Sequence, residues 1–430
     1  MSKLTFRSTL AALFVFTFAA NLLLAGEWRL AGETDQDATS YKVGDKINFT
    51  LQALEDDQPV AGRKVSWTRK GDDGTVEEGS GTTDENGLTI STSASKPGFV
   101  LLIAKLLDDE SQPVKNSKGR EITFTGGAAA EVTGLQSGTE PEDFDEFWQK
   151  SKAALAAVPF KFTLEAVETD KEGVELFDVK VDCAGDKPVS GYLARPLNAA
   201  PKSLPAVVSF HGYGVRSAGK PVSHATQGRI ALDINAHGIP NGQPPEFYSD
   251  LSANELRSYG FKNNNPPQDS YFLGMMWRVM RALEFIKAQP EWDGRNLIVS
   301  GGSQGGLQAL AAAALDSDVS YCVASKPWMC DLAGIEQGRL RGWRPELVPG
   351  LLYFDGANFA KRIKCSVLLD AGMGDTTCPP SGVAVTFNNL AGPKEIVYAQ
   401  GSDHMSYPPK SPSAWAGLWR YFNTLKPQDQ

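Results

Sequence analysis

The first part of the chain alternates polar and apolar residues over short segments. Examples are residues 46–51, 64–67 and 88–92. Turn-forming Gly, Asn and Asp residues lie between them, at 71–74 and 84–87. Short alternating strands separated by regular turns are typical of an antiparallel β-sandwich. We therefore predict a small all-β unit over residues 30–126.

Beyond Thr139 the pattern changes to continuous apolar runs that alternate with helical segments. Continuous runs suit strands buried on both faces of a parallel sheet, and they cover 206–210, 297–299, 367–369 and 396–398. Apolar residues recur at helical spacing between and around these runs, at 307, 310, 311, 314 and 315, at 383, 384 and 387, and in a helix that starts near Pro141. This alternation predicts an α/β domain with a mostly parallel central sheet over residues 139–430.

A run of small residues, Gly126-Gly127-Ala128-Ala129-Ala130, separates the two patterns. Small, turn-compatible residues between two periodic regions are typical of a connecting segment. We predict a linker over residues 127–138.

The composition is that of a globular protein with no nucleic-acid partner. Lys and Arg number 42 against 51 Asp and Glu, a formal charge of −9, whereas a nucleic-acid binder needs a basic face. The five cysteines form neither a disulfide framework nor a CxxC pair. Cys365 and Cys378 bracket a predicted strand, which holds them too far apart to bridge. We predict buried free thiols.

The N-terminus has the pattern of an export signal. Lys3 and Arg7 precede an apolar run from Leu10 to Ala25, after which polar sequence begins. The run is shorter than the roughly 20 residues that a spanning helix needs. We predict a signal peptide over residues 1–25 and a periplasmic, cell-surface or secreted protein. The alternative is an uncleaved membrane anchor.

One motif indicates chemistry. GGSQGG at 301–306 follows the apolar run 297–299 and opens the helical stripe from Leu307. A G-x-S-x-G sequence between a strand and a helix is the nucleophile elbow of α/β-hydrolases. Its glycines leave the space that a sharp strand-to-helix turn needs. Ser303 is the predicted nucleophile; the alternative is a glycine-rich turn with an incidental serine.

A serine nucleophile needs a base, normally a histidine held by a carboxylate, and this chain has four histidines. His211 begins the segment 211–214, which suits an oxyanion-hole loop. His224 and His237 precede the elbow, whereas His404 follows the last predicted strand. Because the chain order in α/β-hydrolases is nucleophile, acid, histidine, His404 is the predicted base.

The acid belongs on the loop after the penultimate strand, where two carboxylates occur. Asp370 lies within or at the end of that strand, where we expect it only to fix backbone or to cap. Asp375 lies beyond the glycines, where the chain can bring it against the imidazole, and it is the predicted acid. Asp403 is adjacent to His404, and consecutive side chains of an extended segment point apart.

The oxyanion of the intermediate needs two preset donors. We predict the backbone N–H of Gln304, directly after the nucleophile, and the N–H of Tyr213 in the 211–214 loop. No cofactor is predicted. The sequence also offers no HExxH segment, close histidine pair or cysteine cluster to bind a metal.

These segments, taken together, are similar to a known family. From about residue 139 to the C-terminus the chain resembles, in order, the acetyl xylan esterase/cephalosporin C deacetylase family of α/β-hydrolases, with PEDFDEFW at 141–148, AVVSFHGY at 206–213, GGSQGG at 301–306, YFD at 353–355, NFA at 358–360 and GDTTCPP at 374–380. The resemblance implies a triad of Ser303, Asp375 and His404 with oxyanion donors on Tyr213 and Gln304. It implies hydrolysis of acetyl esters such as acetylated xylo-oligosaccharides, and a ring-shaped homo-oligomer.

The chain also departs from the family pattern. Asn235-Ala236-His237 replaces the usual Arg-Gly-Gln signature, and Arg278 stands where the family has an aspartate in the helix before the elbow strand. The predicted signal peptide and all-β unit are additions to a catalytic unit usually found alone. The all-β unit resembles the immunoglobulin-like domains of bacterial surface and secreted proteins. We expect His237 to bond backbone, as glutamine does, without a catalytic role.

The leading interpretation is a secreted serine esterase whose partner is a small-molecule or oligosaccharide acetyl ester. A prolyl-oligopeptidase-like serine peptidase is a second interpretation, since those relatives use a similar elbow. A third is a carbohydrate-binding surface protein with an inactive hydrolase fold.

Overall fold

The computed structural model describes residues 26–408 and 411–425. The predicted signal peptide, residues 1–25, lies outside the described residues. In the part that is described, no helix combines the length and the apolar character needed to cross a bilayer.

Residues 28–130 form two four-stranded antiparallel sheets, which we call the N-terminal β-unit. The strands are β1 (Trp28–Thr34), β2 (Ile47–Glu55), β3 (Gln58–Pro59), β4 (Lys64–Gly71), β5 (Val76–Thr82), β6 (Leu88–Thr92), β7 (Gly98–Leu107) and β8 (Thr123–Ala130). One sheet has the order β1-β2-β3 with β6 on β2, and the other has the order β5-β4-β7-β8. Their inward-facing residues share one hydrophobic core, which includes Phe49, Val65 and Leu102. The alternation in the sequence thus corresponds to two sheets packed face to face.

The predicted linker over 127–138 is wrong for its first residues. Residues 127–130 belong to β8, which pairs with β7 from Gly98 to Lys105, and Val132–Gly134 forms a 3-10 turn. Ala128, Ala129 and Ala130 are fully buried. A run of small residues serves a flexible connection and a close approach of backbones equally well, and here it provides the close approach.

The remaining strands form one nine-stranded mixed sheet. They are β9 (Phe162–Ala166), β10 (Val174–Val181), β11 (Val189–Pro196), β12 (Leu204–Phe210), β13 (Ile230–Ile234), β14 (Trp292–Gly302), β15 (Tyr321–Ser325), β16 (Ser366–Gly372) and β17 (Lys394–Ala399). Their order is β17-β16-β15-β14-β12-β13-β11-β10-β9. Pairing is parallel from β13 to β17 and antiparallel from β13 to β9.

Helices cover both faces of this sheet. They are α1 (Phe144–Ala156), α2 (Val222–Ala225), α3 (Pro245–Ala253), α4 (Tyr271–Lys287), α5 (Gln304–Leu315), α6 (Gly356–Ala360), α7 (Pro380–Asn389) and α8 (Ala414–Thr424). Successive strand residues point to opposite faces. Val208 and Val299 therefore pack in the core with α4 and α5, while Val207 and Ile298 pack against α8.

The parallel pairing places several strand ends at one edge. Phe210 pairs with Gly301, Gly302 with Ser325, and Ser325 with Asp370. The loops after β12, β14, β15, β16 and β17 therefore meet there, as ligand sites of open α/β sheets do. All five cysteines are free thiols, and four are buried while Cys365 is half-buried.

Candidate active site

Ser303 occupies a sharp turn between β14 and α5. Its backbone has φ 55° and ψ −120°, a left-handed conformation that is strained for a residue with a side chain. The turn is held by hydrogen bonds from Ser303 N to the Ser325 carbonyl and from Trp328 N to the Ser303 carbonyl, both 2.9 Å. A methyl group added to Gly305 would lie 2.0 Å from the Phe210 carbonyl oxygen. Glycine is therefore required for α5 to approach β12.

A chain of hydrogen bonds joins Ser303, His404 and Asp375. Nε2 of His404 lies 3.1 Å from Ser303 Oγ, and its Nδ1 lies 2.8 Å from Asp375 Oδ2. A carboxylate oxygen only accepts, so Nδ1 carries the hydrogen and Nε2 presents its lone pair to the serine hydroxyl. The three side chains come from the loops after β14, β16 and β17.

The Asp375 carboxylate is buried and held by its own loop. Its Oδ1 accepts hydrogen bonds of 2.8 Å from the N–H groups of Thr377 and Cys378, which leaves Oδ2 for the imidazole. The two alternative carboxylates have other partners. Asp370 accepts from Lys326 N, Tyr407 Oη and Ala414 N, while Asp403 accepts from the N–H groups of Met405 and Ser406.

The 211–214 loop lies over the serine. A methyl group added to Gly212 would lie 3.7 Å from Ser303 Cβ. His211 is neutral, because burial lowers its pKa to about 4. Its Nε2 accepts from Ala236 N at 3.1 Å, so Nδ1 donates to the Gly212 carbonyl at 2.6 Å. In a trans peptide the next N–H points away from that carbonyl, so the Tyr213 N–H is aimed away from the His211 ring.

Tyr259 connects the two predicted oxyanion residues and had no signal in the sequence. Its hydroxyl accepts from Gly214 N at 3.0 Å and donates to Gln304 Oε1 at 2.8 Å. Its ring stacks on Tyr213 with centroids 4.4 Å apart. Burial raises the pKa of Tyr259 above its usual value. The phenol therefore stays protonated and fixes the loop relative to the start of α5.

Lys326 is a second residue that the sequence did not indicate. It follows β15, and its Nζ donates to Ser402 Oγ at 2.9 Å, to the Asp403 carbonyl and to the Ser406 carbonyl at 3.3 Å. The ring of Tyr407 lies 3.6 Å from the ammonium. An ammonium has three hydrogens, so the loop that carries His404 uses all of them.

Ser303 and His404 line a cavity of about 410 Å³. Aromatic side chains form much of its wall, and these are Tyr213, Trp343, Tyr407 and Trp415. Trp343 meets Tyr213 edge-on at 4.7 Å. A larger open cleft of about 720 Å³ lies beside it and shares only Arg216. That cleft contains none of the hydrogen-bonded triad, so the smaller cavity is the candidate active site.

Asp375, Cys378 and His404 place potential metal ligands within 4.8 Å of one another. The thiolate is the form of cysteine that binds metals, and burial raises the pKa of Cys378 well above its usual value. Both oxygens of Asp375 and Nδ1 of His404 already share hydrogen bonds. The cluster therefore fits a hydrogen-bonded hydrolytic site better than a metal site.

The comparison with protein families agrees with this geometry. The family model described as acetyl xylan esterase (AXE1) matches residues 133–340 and 339–413, more than half of the chain. The chain belongs to the acetyl xylan esterase family. The match begins after β8, so the family model does not include the N-terminal β-unit.

Individual relatives are named acetyl esterase or acetyl xylan esterase. Acetyl esterase Axe7A of Xylanibacter ruminicola is 30% identical over 282 residues, which cover 61% of this chain and 63% of that protein. The chain thus matches less than two thirds of this relative's length. The acetyl xylan esterase of Paenibacillus sp. R4 has 27% identity and a TM-score of 0.56, over 68% of this chain and 98% of that one. Acetyl xylan esterase 1 of Thermoanaerobacterium sp. JW/SL YS485 shares the fold, with 22% identity and a TM-score of 0.57 over 68% and 96%.

The two departures from the family pattern contact each other. Arg278 is buried and donates twice to the Ala236 carbonyl, from Nε at 3.0 Å and Nη2 at 2.7 Å. His237 is neutral, because burial lowers its pKa to about 3, and its Nε2 faces the Gly214 carbonyl at 3.0 Å. His237 thus bonds backbone, as expected from the sequence, and supports the 211–214 loop from behind.

Proposed function

We propose that this protein is a serine esterase that removes acetyl groups from carbohydrates. The observation that carries the proposal is the Asp375–His404–Ser303 hydrogen-bond chain at a strained elbow in a member of the acetyl xylan esterase family. Such a chain orients the imidazole to take the serine proton. This hydrogen-bond chain has no structural task that would explain why Ser303 is held in a strained backbone conformation.

In the proposed reaction Ser303 Oγ attacks the carbonyl carbon of the acetyl ester and passes its proton to His404 Nε2. Asp375 stabilises the imidazolium that forms. The N–H groups of Tyr213 and Gln304 bind the oxyanion, and both lack a hydrogen-bond acceptor among the described residues. The sugar hydroxyl leaves with the proton from His404. Water then attacks the acetyl-enzyme, and acetate is released.

We propose acetylated xylo-oligosaccharides or similar acetyl esters as the substrate. The rings of Tyr213 and Trp343 line the cavity with Ser303 and stand in edge-to-face contact; we propose that they limit the acyl group to a short one. Trp415 also lines the cavity, 3.6 Å from a methyl group added to Gly302. It would contact the alcohol part of the ester, where a sugar ring would lie.

Two further parts of the proposal concern the rest of the chain. The N-terminal β-unit is proposed to be an immunoglobulin-like sandwich over residues 28–130, supported by its two antiparallel sheets and single core. The catalytic unit is then residues 131–430. We propose that the protein is exported, because Lys3 and Arg7 precede the apolar run to Ala25. Mass spectrometry of the mature protein, which shows where its chain begins, tests this.

The decisive experiment compares purified wild type with Ser303→Ala on p-nitrophenyl esters of increasing acyl length. We expect rapid hydrolysis of the acetate ester and a steep decline for longer chains. Ser303→Ala should lose on the order of 10⁴-fold or more in kcat. Ser223→Ala changes an exposed serine on α2 and should keep wild-type activity. Retention of most activity in Ser303→Ala, or equal cleavage of peptide anilides, would overturn the proposal.

A further inference from the structure

The backbone of the N-terminal β-unit contacts the backbone of the loop that carries Asp375, with no side chain between them. A methyl group added to Gly127 of β8 would lie 2.3 Å from the Met373 carbonyl oxygen. One added to Gly374 would lie 2.4 Å from the Thr125 carbonyl carbon. Both distances are shorter than any van der Waals contact, so no side chain fits between β8 and this loop. Asp375 is the next residue along the chain.

The same strand also reaches the segment that carries His404. Gln400 Nε2 donates to Thr34 Oγ1 at 2.6 Å and to the Gly127 carbonyl at 3.4 Å. The two catalytic segments are themselves joined, because Gly374 N donates to the Ser402 carbonyl at 2.9 Å. The edge formed by β1 and β8 thus lies behind both downstream members of the proposed triad.

Apolar and polar contacts make this junction part of the protein interior. One buried cluster contains residues from both sides, which are Phe99, Leu101, Ala129, Val132, Leu135, Ala357, Met373, Ala384 and Val385. Asp72, in the turn after β4, is also buried. Its Oδ1 accepts from Leu340 N at 2.9 Å and Ser381 Oγ at 3.1 Å, on the other side of the junction.

We propose that the N-terminal β-unit is a structural part of the catalytic centre, in which β8 positions the loop of Asp375 and, through Gln400, the segment of His404. Gly127 is the central positioning residue, and the inference rests on the proposed triad. Loops at strand ends are otherwise among the more mobile parts of a fold. Catalysis tolerates displacements of only a fraction of an ångström. A spacer or a detachable binding module would not need direct backbone-to-backbone packing against the catalytic loops.

The test is Gly127→Ala in the full chain. Its Cβ must push Met373 and Asp375 outwards, so we expect kcat for p-nitrophenyl acetate to fall by about 10- to 100-fold with KM changed less. The matched control is Gly81→Ala in β5, whose Cβ would meet only the Leu88 side chain, at 2.6 Å; this variant should keep the wild-type kcat and KM.

A second measurement needs no substrate. The proton on Nδ1 of His404, shared with Asp375, is expected as a downfield NMR signal, which Asp375→Asn would identify by its loss. It should broaden or move upfield in Gly127→Ala and stay unchanged in Gly81→Ala. If the wild type shows this signal but hydrolyses no ester, the proposed function fails while the positioning role remains testable.

Thr34→Val gives an independent variant in case Gly127→Ala does not fold. It keeps the side-chain shape and removes the acceptor for Gln400 together with the hydroxyl's own hydrogen bond to the Gln36 carbonyl, at 2.8 Å. We expect a several-fold fall in kcat with only a small loss of thermal stability. The proposal is overturned if Gly127→Ala and Thr34→Val both keep kcat within twofold of wild type with the His404 signal in place.

Discussion

At the scale of single residues, the four histidines differ in what surrounds them. His211 and His237 are neutral donors and acceptors that hold the 211–214 loop, with pKa values lowered by burial to about 4 and about 3. His404 is half-buried and faces both a carboxylate and a hydroxyl. With only four histidines in the chain, the order nucleophile, acid, histidine was enough to select His404. The structure then gives the others supporting contacts.

His224 allows a prediction about pH and stability away from the candidate site. Burial and the neighbouring Arg229 lower its pKa from 6.5 to about 4, and its Nδ1 accepts from Arg229 Nε at 3.3 Å. The unfolded chain therefore binds the proton first, and the contribution of a neutral His224 to stability is lost as pH falls from about 6.5 to about 4.

His224→Asn keeps an acceptor for Arg229 and cannot titrate in this range. Between pH 7 and pH 4.5 the wild type should lose up to about 2 kcal/mol more of its unfolding free energy than this variant does. Urea unfolding at both pH values measures it. A difference that does not depend on pH would contradict the prediction.

At the scale of elements, loops at the strand ends need anchors that come from other elements. The segment after β17 carries His404 and is held from below by Lys326, which follows β15. The carboxylate of Asp370 ties the backbone of Lys326 and the start of α8 to the end of β16. These contacts cross three neighbouring strands.

Lys326→Met should therefore displace the segment around His404. It removes three hydrogen bonds to the 402–406 segment and the contact with the Tyr407 ring. We expect kcat to fall by about 10-fold or more, with a smaller change in KM because the ammonium has no hydrogen left for substrate. Lys326→Arg, which keeps the charge, should recover part of the loss. Equal kcat in wild type and Lys326→Met would show that the segment holds its position without this residue.

The sequence predicted the elements of the α/β unit better than the contacts between them. Continuous apolar runs correspond to the cores of β12, β14, β16 and β17, because a strand that is buried on both faces consists of consecutive apolar residues. Chain order was enough to choose three side chains that the structure places in hydrogen-bond contact. Tyr259 and Lys326 could not be found, since their partners are far away in sequence and no local spacing encodes such contacts. The run 126–130 was misinterpreted because small residues mark both flexibility and close packing.

At the scale of the whole molecule, one buried junction joins the N-terminal β-unit to the nine-stranded unit. Asp72 lies at its centre, and burial raises the pKa of this carboxyl above its usual value. It also accepts from Phe99 N at 2.7 Å within its own unit. Asp73 is adjacent in sequence and also buried, but it pairs with Arg69 inside the β-unit.

This contrast predicts different thermal unfolding for two neighbouring carboxylates. Asp72→Ala leaves buried N–H groups on both sides without an acceptor, a cost of about 3 kcal/mol, and should separate one unfolding transition into two. Asp73→Ala leaves Asp72 in contact with Leu340, so it should lower the temperature of a single shared transition. Calorimetry of the full chain distinguishes these outcomes; a single transition for Asp72→Ala, at the wild-type temperature, would count against a shared interior.

The contact between β8 and the loop of Asp375 also bears on how this protein can be engineered. Cutting the chain at residue 131, or attaching a foreign binding module there, would expose Met373, Ala384 and Val385 and remove the backbone that packs behind Gly374. A replacement module would have to supply a strand whose backbone contacts Met373 and Gly374 equally closely, with no side chain between them. Fusion partners are better attached at the far end of β7 and β8, beside the exposed turn at Gly119.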